Sequence, residues 1–225
     1  MRIPSHAPSS FKPLIEIICA VSADGVFGYK NPAANENQMP WSCKADMTYF
    51  KNTTTGHPVV MGSDTYFSLP EKFRPLPGRT NLVLTTNSEK FSTEIVRIKN
   101  LNEVRVVEGK SPLALDLVAN INLMFMWIQD KCPEKVFIIG GKKLITQMMS
   151  PDNGYSHHVS RIHRTVVHYR VFGEIGAITN QETYAKYVMF DEMLEPSKTW
   201  PHLRSEEPAE EDNCTIQVFK NLSAR

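Results

Sequence analysis

Residues 135–144, Lys-Val-Phe-Ile-Ile-Gly-Gly-Lys-Lys-Leu, run from an apolar strand through two glycines into the start of a helix. A strand this apolar is typical of a position covered on both faces, as in a mostly parallel sheet. Two glycines there allow the backbone to approach an anion at the helix start, although a plain strand-to-helix turn explains the segment equally well. The fingerprint Gly-x-Gly-x-x-Gly is absent, so an ordinary Rossmann domain is not predicted.

Similar apolar runs occur at residues 14–21, 58–62 and 81–86. The spacing of apolar residues predicts helices at 44–54, 113–131 and 142–149, and the late segments 159–171 and 215–220 are typical of strands. These elements predict an α/β fold with a single mostly parallel central sheet, an antiparallel C-terminal edge and helices on both faces. The acidic stretch Ser205–Asn213 is interpreted as a solvated loop, because clustered like charges repel one another.

Length and composition indicate one globular domain. The 225 residues are 41% hydrophobic and 22% charged, with a net charge of +1, which argues against a nucleic-acid partner. The four cysteines are widely separated, which predicts reduced thiols in the cytoplasm. Residues 1–13 contain no apolar run for a signal peptide and are interpreted as a flexible extension before a domain at 14–225. Residues 113–128 contain too many polar side chains for a membrane span.

The segment Met39-Pro40-Trp41, followed by Asp46 near the start of the predicted helix, places one carboxylate among apolar side chains. At an exposed helix start, an aspartate simply complements the helix dipole. In an apolar pocket, desolvation raises the pKa of the same group, which can then bind an amidine-like ring edge or supply a proton. This segment alone leaves both interpretations open.

Two further segments contain candidate binding residues. Residues 60–70 pass from a strand through Gly62 into a helix start, where backbone N–H groups suit a phosphate. Residues 74–81 contain a tight Pro77-Gly78 turn followed by Arg79. The Arg79 guanidinium can hold a carboxylate through two parallel hydrogen bonds, although a lone arginine after a turn is commonly a surface residue.

No metal site is predicted. Four histidines cluster in the C-terminal third, but no carboxylate or cysteine nearby completes a ligand set around them. They are interpreted as ordinary surface or sheet residues: His157, His158, His163 and His168.

In this order, four segments resemble the dihydrofolate reductase family: Met39-Pro40-Trp41 with the Asp46 helix, Met-Gly-x-x-Thr-Tyr-x-Ser at 61–68, Pro-Leu-Pro-Gly-Arg at 75–79, and Ile-Ile-Gly-Gly at 138–141. The likeness covers residues 14–220, and the segments at 68–70 and 158–162 resemble the bacteriophage branch. The resemblance implies the dihydrofolate reductase fold and an NADPH-dependent enzyme of the cytoplasm, or of the host cytoplasm if viral. Its implied reaction reduces 7,8-dihydrofolate to 5,6,7,8-tetrahydrofolate for one-carbon metabolism and thymidylate synthesis.

The resemblance also implies a substrate site around Asp46, which binds the 2-amino group and neighbouring nitrogen of the pterin and assists protonation of N5. Trp41 helps to position a water above Asp46. Ser160 takes the place of the hydroxyl that bridges to the carboxylate, because its spacing from Gly141 fits better than that of Thr165. Arg79 binds the α-carboxylate of the folate glutamate tail. The other implied substrate-binding residues are Ile18, Cys19, Met39, Met47, Phe50, Leu69, Leu76 and Ile139. Antifolate-type molecules are expected ligands, with no nucleic-acid or membrane partner and no protein partner identified.

For NADPH, the resemblance implies a cis peptide between Gly140 and Gly141 and a helix start that faces the pyrophosphate. The residues implied at the nicotinamide are Ala20, Phe27 and Gly28. Those implied at the phosphates and adenosine are Gly62, Ser63, Asp64, Thr65, Ser68, Leu84, Thr85, Thr86, Lys99, Gly140, Gly141, Lys142, Lys143 and Leu144.

This sequence departs from the family pattern at several positions. Ser63 stands where many relatives have an arginine that grips the 2′-phosphate of NADPH, which weakens the expected preference over NADH. Ile145 stands where an aromatic residue often lies near the nicotinamide. The loop at 29–38 is longer than usual, so closure over the nicotinamide and product release are expected to differ.

Two alternatives stay open. A non-catalytic folate-binding or structural module would keep the fold without turnover, and the long loop and Ser63 favour it. A reductase of the same fold acting on a pyrimidine intermediate of riboflavin synthesis is a further alternative, against which Trp41 and Asp46 argue. Binding of a diaminopyrimidine, which needs the Asp46 carboxylate, distinguishes this last enzyme from a dihydrofolate reductase.

Overall fold

The computed structural model describes residues 12–31, 36–85, 104–108, 116–172, 186–206, 209–211 and 213–224. The strands are β1 (Leu14–Ser22), β2 (Val26–Asn31), β3 (Glu36–Gln38), β4 (Val59–Gly62), β5 (Asn81–Thr85), β6 (Val104–Glu108), β7 (Lys135–Gly140), β8 (Val159–Val167), β9 (Tyr187–Met189), β10 (Leu203–Ser205), β11 (Ala209–Glu211) and β12 (Cys214–Asn221). The α-helices are α1 (Lys44–Thr54), α2 (Ser63–Ser68), α3 (Asp116–Lys131), α4 (Lys142–Met149) and α5 (Pro196–Thr199).

The main sheet has nine strands within the described residues, in the order β10-β12-β8-β1-β7-β4-β5-β6, with β11 also paired to β12. All neighbours from β8 to β6 are parallel. β12 runs antiparallel to β8, and β10 and β11 run antiparallel to β12. The predicted mostly parallel sheet with an antiparallel C-terminal edge is therefore confirmed.

Helices cover both faces of this sheet, as predicted. Ile17 of β1 packs in a cluster that includes residues of α3 and α4. Its neighbour Ile18 packs on the other face, in a cluster that includes Phe50 of α1 and Tyr66 of α2. Because successive strand residues point to opposite faces, such doubly buried strands are mostly apolar.

A second sheet of three strands, in the order β3-β2-β9, lies outside the central sheet. The interpretation of residues 29–38 as a loop was wrong at both ends, because β2 and β3 pair there from Tyr29↔Gln38 to Asn31↔Glu36. The third strand, β9, arrives from residues 187–189 and pairs with β2. No local sequence pattern predicts a strand that is so short and that pairs with a strand so far away in the chain.

The acidic stretch Ser205–Asn213 also departs from its interpretation as a loop. Residues 209–211 form β11, which pairs with β12 at Ala209↔Ile216 and Glu211↔Cys214. The three side chains of β11 are exposed, so the predicted solvation is confirmed for Glu210 and Glu211 although the backbone is a strand. In an edge strand, the backbone pairs with the sheet while the charged side chains remain in water.

Helices α1 and α4 have the predicted bounds, and α3 covers the described part of the third predicted helix. Among the described residues, no helix is long and apolar enough to cross a membrane. The predicted extension at 1–13 lies outside the described residues except for residues 12 and 13.

Candidate active site

The carboxyl ends of the parallel strands form one edge of the main sheet. Met61 of β4 lies opposite Gly140 of β7, and Gly62 lies opposite Leu84 of β5. Ala20 lies near the same end of β1, which runs parallel to β7. Ligands of open α/β sheets bind outside this edge, so the structure brings the glycine junctions of the sequence together where a ligand is expected.

Asp46 lies in the first turn of α1 and is only 8% exposed. The helix begins after Cys43, whose sulfur accepts a hydrogen bond from the Asp46 N–H at 3.5 Å. Burial raises the pKa of Asp46 above its ordinary range, and a hydrogen bond with the Thr165 hydroxyl partly offsets that rise. Of the two interpretations of Asp46, the buried carboxyl is confirmed and the exposed helix-dipole residue is wrong.

The placement of Ser160 beside the carboxylate was wrong. The Ser160 hydroxyl donates to the Ile15 carbonyl at 3.0 Å, near the start of β1 and β8, whereas Thr165 bonds Asp46. Thr165 follows Ser160 by five positions on β8, which span roughly 16 Å at about 3.3 Å per residue. A β-bulge at Ile15 leaves Ser160 without a pairing partner on β1, which spacing from Gly141 cannot reveal.

Trp41 lies in a buried cluster around the start of α1 and is 9% exposed. Its indole Nε1 has no hydrogen-bond partner within the part of the chain that the structure describes. A buried indole N–H ordinarily has a partner, so this donor is available to a water or a ligand. The cluster also contains Cys43 and Cys214, which join α1 to the last strand.

Cys19, Cys43 and Cys214 are buried thiols near this end of the sheet, and no disulfide joins any of the four cysteines, all of which the structure describes. Burial raises the pKa of Cys19 to about 12, and the Asp46 charge adds to the rise. Burial, followed by a hydrogen bond with Cys43, raises the pKa of Cys214 to about 12. The Cys19 and Cys214 thiols are therefore protonated at neutral pH and act as packing groups.

Most of the predicted apolar wall lies on the α1 face of the sheet. One cluster contains Ile18, Phe50, Leu69, Leu76 and Ile139. Cys19 differs, since its side chain belongs to the cluster on the opposite face of β1. Met39 and Met47 are 45% and 51% exposed, so both side chains lie outside the buried cluster.

Arg79 lies at the other end of α1 and is 7% exposed. Its Nε donates to Thr54 Oγ1 at 2.9 Å, and Nη2 lies 3.2 Å from Thr55 Oγ1. The guanidinium carbon lies 5.5 Å from the centre of the Phe50 ring. A cavity of about 240 Å³ opens beside it, lined by Gly56, His57, Pro58, Gly78, Arg79 and Thr80. Arg79 is thus a fixed cation beside open space rather than a mobile surface residue.

The Gly140–Gly141 peptide is cis, as expected. Gly140 packs on Thr65, and Gly141 precedes α4 without a side-chain cap. Gly62 precedes α2, also without a side-chain cap. Because β4 and β7 are neighbours, two helix starts with uncapped N–H groups lie at the same sheet edge, an arrangement suited to anions.

Other predicted cofactor residues have varied surroundings. The Lys142 ammonium donates to the Met189 carbonyl at 2.8 Å and lies 3.5 Å from a Glu192 oxygen, so it is directed towards β9. The Ser68 hydroxyl donates to the Thr65 carbonyl at 2.7 Å. Partly or fully exposed at the edge are Gly62, Ser63, Asp64, Thr65 and Lys143, while Leu84, Thr85 and Leu144 are buried. Phe27 packs edge-on against Phe190 near Ala20 and Gly28, with 5.4 Å between ring centres. Thr86 and Lys99 lie outside the described residues.

Sequence reasoning preferred Ser160 to Thr165 and missed a polar chain of Glu16, His163 and Tyr49. His163 and Thr165 alternate on β8 and therefore share one face, which is a signal that period-two spacing could have provided. Cys214 had no such signal, since only the pairing of β12 with β8 brings it near α1. Among the described residues, no group of three or more His, Cys, Asp or Glu side chains could hold a metal ion.

The sequence of this chain is similar to those of a known protein family. A family model described as dihydrofolate reductase matches residues 14–193. The dihydrofolate reductase of Mycobacterium leprae is 47% identical over 114 residues, which are 46% of this chain and 66% of that protein. The enzyme of Bacillus subtilis is 27% identical over 161 residues, which are 72% of this chain and 73% of that protein. That of Candida albicans is 31% identical over 147 residues, covering 62% of this chain and 63% of that protein.

Proposed function

Since this chain belongs to the dihydrofolate reductase family, we propose that it reduces 7,8-dihydrofolate to 5,6,7,8-tetrahydrofolate with NADPH as the reductant. The product supplies one-carbon metabolism and thymidylate synthesis. A cytoplasmic location and membership of the bacteriophage branch remain parts of this proposal.

The observation that supports it best is the placement of two charged groups at opposite ends of α1. Asp46 lies in the first turn and Arg79 is hydrogen-bonded to Thr54 in the last. Thr54 follows Asp46 by eight positions, which at about 1.5 Å per residue span about 12 Å. Apolar side chains of α1 and β1, including Phe50 and Ile18, lie on the same face. This arrangement suits an elongated ligand with an amidine-like ring at one end and a carboxylate at the other.

Asp46 binds the 2-amino group and adjacent nitrogen of the pterin, because its buried carboxylate has few other partners. Because the pKa of Asp46 is raised, its carboxyl group can hold a proton at a pH nearer to neutrality. Asp46 therefore assists protonation of N5 of the pterin. Trp41 directs its unpartnered indole N–H to a water at this end of the site. Arg79 anchors the α-carboxylate of the glutamate tail through two hydrogen bonds.

The residues at the sheet edge fit a dinucleotide. The uncapped starts of α2 and α4 offer backbone N–H groups to phosphates, and the close packing of Thr65 on Gly140 holds the two junctions together. When bound, the nicotinamide supplies the hydride that passes to C6 of the pterin. The protein orients the substrate against it and excludes water. Ser63 offers a hydroxyl rather than a fixed charge to the 2′-phosphate, so discrimination between NADPH and NADH is expected to be modest.

The test is the loss of absorbance at the NADPH band when dihydrofolate is added, measured for the wild type and for Asp46→Asn and repeated with NADH. We expect Asp46→Asn to reduce kcat by about 10²–10⁴-fold, the range for loss of a proton-handling group. A small difference between the two nucleotides is expected from Ser63.

The control is a thermal unfolding curve for each protein. Absence of turnover in a folded wild type at saturating substrates would contradict the reductase and favour a folate-binding or structural module. Turnover of a pyrimidine substrate with NADPH, without binding of a diaminopyrimidine, would favour the reductase of the same fold that acts on such an intermediate.

A further inference from the structure

A chain of three polar side chains, of which two are buried and Tyr49 is partly buried, connects α1 to the middle of the main sheet. The Tyr49 hydroxyl lies 2.6 Å from His163 Nδ1, and His163 Nε2 lies 2.7 Å from a Glu16 oxygen. Glu16 is fully buried and His163 is 8% exposed. Burying a carboxylate and an imidazole is costly unless both are paired, so this chain is an unusual feature of an otherwise apolar interface.

The direction of the hydrogen bonds follows from the Glu16 carboxylate, which can only accept. His163 Nε2 therefore donates to Glu16. An imidazole with its proton on Nε2 accepts at Nδ1, so the Tyr49 hydroxyl donates there. Each donor in the chain has one acceptor, which gives the side chains a single arrangement.

Charged groups on the neighbouring strands hold Glu16 in place. Lys135 Nζ on β7 lies 3.3 Å from Glu16 Oε1, and Arg161 Nη1 on β8 lies 3.6 Å from it. Glu206 lies 3.9 Å from Arg161. Burial alone would raise the pKa of Glu16, but the hydrogen bond from His163 and the charge of Lys135 lower it overall. The carboxylate is therefore ionised at neutral pH and anchors the chain from the sheet.

The chain runs beside the contact that involves Asp46. Tyr49 follows Asp46 by three residues on α1, which places both on one side of the helix. His163 precedes Thr165 by two residues on β8, which places both on one face of the strand. Asp46–Thr165 and Tyr49–His163 are thus two adjacent side-chain links between the same helix and the same strand.

We propose that His163, held by Glu16, is a positioning residue that fixes α1 against β8 through Tyr49 and so keeps Asp46 in hydrogen-bonding contact with Thr165. This inference rests on the proposed function, because its consequence is expressed through Asp46. Neither His163 nor Glu16 touches the substrate. Their effect is to limit the movement of a helix whose first turn contains the carboxyl.

The main test variant is Tyr49→Phe, which keeps the ring and removes only the hydroxyl. With the link broken, the Asp46–Thr165 hydrogen bond lengthens, and the ionised form of Asp46 loses a stabilising contact. We expect the midpoint of the pH profile of kcat to move to higher pH, and kcat at neutral pH to change by about 3- to 30-fold, with KM for dihydrofolate changed much less. Binding of a 2,4-diaminopyrimidine, followed by fluorescence across the same pH range, should show the same displacement without turnover.

Two further variants separate positioning from loss of structure. His163→Gln can still accept from Tyr49 and donate to Glu16, so it should restore most of the wild-type midpoint, whereas His163→Phe should not. Tyr155→Phe removes a hydroxyl that bonds Asn122 at 3.0 Å, away from α1, and serves as the matched control.

An unchanged midpoint in Tyr49→Phe, in both assays, overturns the inference even if stability falls. An equal displacement in Tyr155→Phe overturns it as well, because the effect would not be specific to α1. Failure of the wild type to turn over dihydrofolate and to bind the diaminopyrimidine would instead overturn the proposed function.

Discussion

Thr65 lies so close to Gly140 that a Cβ atom at position 140 would come within 2.9 Å of both Thr65 Cγ2 and Thr65 Oγ1. The φ angle of Gly140 is 151°, which side chains of L-residues rarely adopt. The end of β7 is therefore joined to α2, the helix that follows β4, by a contact that only glycine permits.

We expect Gly140→Ala to reduce the free energy of unfolding by about 2–4 kcal/mol, since it combines an unfavourable φ with overpacking. Chemical denaturation measures the loss. Gly56→Ala is the matched control, because Gly56 has a φ of 85° but nothing within 4 Å of the added Cβ, and it should cost only about 1 kcal/mol. Adding Thr65→Ala to Gly140→Ala should recover the part of the lost free energy of unfolding that is due to overpacking. Equal losses at positions 56 and 140 would contradict this account.

Asp46→Asn should stabilise the protein at neutral pH while it reduces activity. The pKa of Asp46 is raised on folding, so the folded state binds the proton more tightly and the wild type loses stability as pH rises from the unfolded pKa through the folded one. The asparagine variant lacks this loss. We expect a Tm increase of about 2–4 °C per 1 kcal/mol gained at pH 7, shrinking as pH falls below about 4. A variant less stable than the wild type at pH 7 would contradict the burial of an uncompensated charge.

Thr165→Val should weaken turnover, because it removes the hydroxyl that bonds Asp46 and leaves the side-chain volume nearly unchanged. The pKa of Asp46 should rise further, which moves the pH profile of kcat in the direction predicted for Tyr49→Phe. Ser160→Ala provides the comparison, since its hydroxyl bonds only the Ile15 carbonyl at 3.0 Å. A shifted profile in Ser160→Ala but not in Thr165→Val would restore the assignment made from the sequence.

Arg79→Lys should raise KM for dihydrofolate by about 10- to 100-fold, since a lysine cannot reproduce two parallel hydrogen bonds to a carboxylate. Steady-state kinetics with dihydrofolate and with a reducible pterin that lacks the glutamate tail test this directly. The tail-less pterin should show little difference between the wild type and the variant. An equal loss with both substrates would mean that Arg79 acts through the packing of α1.

The sequence predicts those parts of the fold in which local pattern and tertiary environment agree. The strand at 135–140 and the helix at 44–54 have the apolar spacing that their burial demands, and the glycines mark the junctions. Asp46 and Arg79 were identified because each stands next to a recognisable turn or helix start. The strands β2, β3 and β9 were not predicted, because their pairing depends on residues far apart in the chain.

The error at Ser160 has a different cause. Counting residues along β8 gives a position on the strand but not the register of that strand against β1, and the bulge at Ile15 changes that register. The residue of β8 that faces α1 determines which hydroxyl lies beside Asp46. That is a property of the sheet as a whole, which a single sequence does not contain.

The strand order also determines when the protein can fold during synthesis. β1 is the first strand of the chain, yet its two neighbours, β7 and β8, come from residues 135–140 and 159–167. Cys214, which packs beside the start of α1, belongs to the last strand. More than a hundred residues must leave the ribosome before β1 gains any partner in the main sheet, and nearly all must leave before the surroundings of Asp46 are complete. Contacts this distant in sequence are formed slowly, so we expect the nascent chain to expose apolar strands for longer than a protein built from local hairpins.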